Sequence, residues 1–134
     1  MKTILVAYVA TLVVFAAVDF IWLSSMADVL YRPTLGDMLA PAFRPVPAIL
    51  FYLIYAVGLT FFAVRPSMQS SDLLIALFYG AMFGFVAYAT YDLTNQATLK
   101  NWSTILTIAD LAWGSALSAI AAAAGSGITQ RFVA

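Results

Sequence analysis

Four long apolar runs, at roughly residues 3–24, 46–64, 73–94 and 103–124, alternate with shorter polar stretches. A membrane-spanning helix needs about 20 mostly apolar residues, so the pattern predicts an all-α, polytopic membrane protein, a single four-span bundle. Pro47 suits a first helical turn, where its missing N–H costs nothing, and Asn101 or Ser103 can cap the fourth helix. The short polar loop over residues 96–102 predicts an antiparallel hairpin of the third and fourth spans.

The first connection, residues 25–45, is the unusual one. Connections of this length generally carry function or structure of their own. It holds Pro33, Pro41 and Pro45 and two short amphipathic patterns, Met26, Val29, Leu30 and then Leu35, Met38, Leu39. Asp28, Arg32, Asp37 and Arg44 fall between them, as in short helices lying at the interface. The segment reads either as a lid, with Tyr31, Arg32 and Arg44 over a site, or as a linker resting on headgroups.

Composition agrees with the spans. Of 134 residues, 64% are hydrophobic and 9% charged, and mean hydropathy is +0.98; soluble domains carry about 25% charged residues. The apolar run after Lys2 resembles a secretory signal, but it continues through Trp22 and Leu23, beyond an ordinary signal core, and is read as a retained span. There is no Cys and no His, so disulfides, thiolate chemistry and Cys/His zinc or haem sites are excluded; no metal site and no cofactor is implied. A formal charge of zero without a basic cluster excludes nucleic-acid binding and argues against polybasic lipid recognition.

By alternation, Lys2, Arg65 and Arg131 lie on one side and Arg32, Arg44 and Lys100 on the other. Two readings follow. The first helix usually dominates orientation, which holds the N-terminus inside; the even balance also fits two opposed copies forming an antiparallel homodimer.

The candidate chemistry lies in Asp19, Asp92 and Asp110, since ionisable residues in spans are costly and mark function by default. At 1.5 Å per residue, Asp19 and Asp110 fall one to two turns inside the first-loop end of the bundle, and Asp92 close to it. Tyr8, Thr11, Phe15, Asp19 and Trp22 share one face of the first helix; Tyr88, Tyr91, Asp92 and Asn95 share one of the third. Thr104, Thr107, Asp110, Gly114 and Ser118 form a stripe on the fourth, and Trp113 repeats the Asp-x-x-Trp offset of Asp19 and Trp22. Grouped carboxylates in low dielectric cannot all be charged, so they hold a proton, bind a cationic head or take up a cation from the loops. The bland alternative is that they only link helices, a task one or two Asn would do more cheaply. Asp92 alone also reads as a solvated helix-end residue. Gly80-x-x-x-Gly84 is a small-residue motif read as packing within the bundle, and Trp22, Trp102, Tyr31 and Tyr52 as interfacial anchors.

The run from Tyr88 through Tyr91-Asp92-Leu93-Thr94-Asn95 to Trp102, followed by Asp110-Leu111-Ala112-Trp113-Gly114, resembles a family of predicted bacterial membrane proteins, domain of unknown function 2177. Asp19-Phe20-Ile21-Trp22-Leu23 and Tyr31 fit it as well, and the likeness covers essentially the whole chain. The resemblance implies a multi-pass protein of the bacterial inner (cytoplasmic) membrane, without an assigned activity. The residues themselves leave three functions open. The first is binding, with or without modification, of a membrane lipid or small amphiphile by Asp19, Trp22, Tyr91, Asp92, Asn95, Asp110 and Trp113. The second is proton- or cation-coupled transport by a dimer, and the third is an accessory role in a membrane complex. No recognised catalytic motif decides whether the protein is an enzyme; if it is, Asp92 or Asp110 is the general acid or base.

Overall fold

The computed structural model describes residues 2–133. Helix α1 (Lys2–Met26) runs into a π-helical turn (Ala27–Tyr31), the short α2 (Arg32–Leu35) and a 3-10 turn (Gly36–Met38). After an extended stretch come α3 (Pro45–Leu59), a second π-helical turn (Thr60–Val64) and α4 (Arg65–Ser70), then α5 (Leu73–Thr98) and α6 (Thr104–Val133). Among the described residues there is no strand. Four helical stretches are long and apolar enough to cross a membrane: Lys2–Met38, Pro45–Ser70, Leu73–Thr98 and Thr104–Val133. This is an all-α membrane bundle with a long, partly helical first connection.

The helices overrun the expected spans for physical reasons. Thr90, Thr94 and Thr98 each donate to the carbonyl one turn back, at Val86, Thr90 and Thr94, which carries α5 through its polar end. Helix α6 continues because Gly125, Ser126 and Thr129 are buried in the bundle rather than facing solvent. Asp72 caps α5 by accepting from the Leu74 N–H at 3.0 Å, and Ser103 caps α6 through the Leu106 N–H at 3.3 Å.

Both π-helical turns precede an Arg-Pro pair, Arg32-Pro33 and Arg65-Pro66. A proline ring clashes with the carbonyl four residues back and offers no N–H. Those carbonyls belong to Val29 and Phe62, inside the two π-helical turns; a wider turn accommodates the proline while the helix continues.

Helix α6 is central, packing along α5 and also against α1, while α3 and its π-helical continuation close on α1 and α5. The α5–α6 approach depends on glycine. A Cβ on Gly84 would lie 2.2 Å from the Gly114 carbonyl oxygen, and one on Gly80 2.7 Å from that of Ser118. Gly80-x-x-x-Gly84 thus serves packing within the bundle. Large apolar residues such as Phe78, Val86, Ile105 and Ile108 face outward, as a lipid-facing wall requires.

Candidate functional site

The helix faces expected to carry polar residues turn inward. Asp19, Asp92 and Asp110 are all buried, Asp92 completely, at the bundle end beneath the first connection. No group of three metal-binding carboxylates forms among the described residues. The aspartates are arranged as one satisfied carboxylate and one adjoining pair.

Asp19 is the satisfied member. Its Oδ2 accepts from the Tyr52 hydroxyl at 2.5 Å and its Oδ1 from the Trp113 indole N–H at 3.2 Å. The Trp113 ring stacks on Trp22, with centroids 4.3 Å apart and planes 8° from parallel. Trp22 donates to the Tyr31 hydroxyl at 2.9 Å, and Tyr31 donates to Asp110 Oδ1 at 2.7 Å. A relay of rings and hydrogen bonds therefore ties the first connection to two helices. It follows from the shared Asp-x-x-Trp offset on α1 and α6, which places carboxylate and indole on one face.

Asp92 differs. Its carboxyl adjoins that of Asp110, within hydrogen-bonding reach once one of the two carries a proton. No other group serves it: both Asp92 oxygens are buried without a donor among the described residues. Buried polar atoms are nearly always hydrogen-bonded, and exceptions call for a cause. Asp92 is therefore no solvated helix-end residue; the inward face of α5, set by its tight contact with α6, determines its burial.

Beside the pair opens a cleft of about 340 Å³ lined by Phe51, Tyr55, Ala87, Tyr88, Tyr91 and Asp110. Tyr91 is half-exposed at its rim, edge-on to Trp102 with centroids 5.7 Å apart. Asn95 is partly buried one turn beyond Asp92, and its side chain forms no hydrogen bond among the described residues. Among the described residues of the first connection, Tyr31 is the one that hydrogen-bonds to a site aspartate. Arg32 pairs instead with Asp28 on the surface, and Arg44 is exposed. No cation forms an ion pair with the site carboxylates among the described residues.

The sequence reading missed the contribution of the second span. Tyr52 donates to Asp19 and so does more than anchor the interface, and Tyr55 shares a 2.7 Å hydrogen bond with Ser118. Phe15 stacks on Tyr55 with centroids 4.6 Å apart, forming the floor of this aromatic layer. The available signal was the inward face Tyr52, Tyr55, Ala56, Leu59, on which tyrosine recurs at helical spacing.

The bundle and its inward carboxylates define a four-span helical membrane protein with a polar site at one end. The family model described as predicted membrane protein (DUF2177) matches residues 4–127, and the chain belongs to that family. No curated protein and no solved structure matches it.

Proposed function

We propose that this protein binds a small amphiphile, its cationic or hydrogen-bond-donating head at Asp92 and Asp110 and its apolar body in the aromatic cleft. The observation that carries this reading is Asp92, fully buried and, among the described residues, without a hydrogen-bond donor apart from a proton shared with Asp110. A carboxylate serving only to link helices would be satisfied as Asp19 is. The cleft supports the reading in two ways. Its volume of about 340 Å³ falls in the range of small-ligand sites, and its tyrosine walls suit an ammonium group. Tyr31 covers the head and Trp22 with Trp113 brace it, in the leaflet on the first-connection side. The membrane, on this reading, is the bacterial inner membrane.

The same pair favours a second reading. Two adjoining carboxyls can hold one proton or one cation, and exchange between those states is the basic requirement of proton-coupled transport. The two readings share a site and differ in whether the bound species crosses the bilayer.

The test is mass spectrometry of species released from the purified protein and from its Asp92→Asn and Asp110→Asn variants. An amphiphile with an amine, ammonium or other donor head should accompany the wild type and fall on the order of tenfold in both variants, as expected when a buried charge-assisted contact is lost. No retained species, or equal retention by the variants, would overturn the proposal. Movement of that species in proteoliposomes, driven by a proton gradient, would select the transport reading.

A further inference from the structure

At the opposite end of α1 a lateral groove of about 650 Å³ lies between α1 and the second span. Leu5, Val57 and Phe61 supply its apolar wall, and Lys2 and Arg65 line it as well. The two cations are remote in sequence, which is why no basic cluster is visible there. Packing of α1 on α3 and its π-helical continuation brings them to one groove. Among the described residues neither has a carboxylate partner; the Arg65 guanidinium lies 5.7 Å from the Phe61 ring centroid.

Thr60 supplies a separate observation. It lines this groove, is 4% exposed, and its hydroxyl has no hydrogen-bond partner among the described residues. Thr11, Thr90, Thr94, Thr98 and Thr129 each return their hydroxyl to the carbonyl one turn back. Thr60 opens the π-helical turn that accommodates Pro66, and its hydroxyl departs from that habit. It is a buried donor lining an apolar groove that two cations also line.

We infer that this groove is a binding site for one anionic phospholipid, with the phosphate between Lys2 and Arg65, an acyl chain along Leu5, Val57 and Phe61, and the Thr60 hydroxyl donating to an ester carbonyl. The spacing is consistent with that molecule. Thr60 lies five residues before Arg65, at most about 7.5 Å along the axis by the α-helical rise, and ester groups lie beneath the phosphate at about the depth of the interface. Juxtamembrane cations draw acidic lipids individually as well as in clusters. The site shares no residue with the aspartate cleft, so the two proposals stand or fall separately.

Native mass spectrometry of the delipidated, detergent-purified chain can test it, with phosphatidylglycerol and phosphatidylcholine of matched chains added in equal amounts. Phosphatidylglycerol adducts should dominate on the order of tenfold. The doubly substituted Lys2→Gln, Arg65→Gln protein should lose that preference, and the charge-preserving Lys2→Arg, Arg65→Lys protein should keep it. Thr60→Val should lower retention of both lipids while preserving the preference. Repeated in the Asp92→Asn background, which removes the ammonium site of the aspartate cleft so that the adducts report on the groove, the same preference and the same losses should appear. Equal adducts on the wild type, or a preference that survives charge removal, would overturn the inference. Displacement of phosphatidylglycerol by equimolar inorganic phosphate would also overturn it, because an anion alone would then suffice.

Discussion

Asp19 and Asp92 are the same side chain in two different situations, and substitutions should separate them. Asp19 accepts from Tyr52 and Trp113, so both oxygens are in use. Asn offers one acceptor and turns an NH₂ toward a donor, so Asp19→Asn should cost about 1–3 kcal/mol in denaturant unfolding of the micelle-bound protein. Tyr31→Phe removes the donor to Asp110 and the acceptor for Trp22 while keeping the ring. It should loosen residues 27–38, read as faster hydrogen exchange there, with little change in α5 and α6. The inward aspartates could be read from the sequence because a charge in a span is rare and helical spacing assigns its face. Tyr52 could not, because a tyrosine near a helix end reads equally as an anchor at the interface.

Among the elements, the α5–α6 contact is the one that fixes the site, since it buries Asp92 against Asp110. Gly84→Ala would drive a Cβ to 2.2 Å from a backbone oxygen of α6, and backbone cannot swing aside. The expected cost is about 1–3 kcal/mol, the usual range for overpacking, together with loss of whatever occupies the cleft. Gly127 provides the control: an added Cβ would meet Leu73 side-chain carbons at 3.8 Å and nothing closer. Gly127→Ala should therefore be neutral or stabilising by up to about 1 kcal/mol. Both effects are measurable as shifts in unfolding midpoint in detergent. Four helices were readable from hydropathy alone, because length and apolarity are local properties. Their true ends were not: Thr98, Gln130 and Arg131 look like loop residues, yet all three are helical, Thr98 bonding the Thr94 carbonyl and Gln130 the Ser126 hydroxyl one turn back in their own helices. The π-helical turns were equally hidden, since Arg-Pro ordinarily signals a break.

For the molecule as a whole, charge and polarity are divided between two ends. One end holds the carboxylates under the first connection, and the other holds Lys2, Arg65 and the apolar groove. The sequence located the first end and not the second. Three aspartates stand out in apolar runs, whereas two cations in separate elements become a site only through helix packing. Asp92, with the adjoining Asp110 carboxyl as its one neighbour able to share a proton among the described residues, is on this reading kept for a ligand at a cost in stability, as sites of function often are. The most direct test is the unfolding free energy of ligand-free Asp92→Asn against the wild type, in the same micelles. An amide there can donate to Asp110 without needing a shared proton. The expected result is a gain of about 1 kcal/mol or more. A loss comparable to that of Asp19→Asn would contradict it and make Asp92 a structural link between helices.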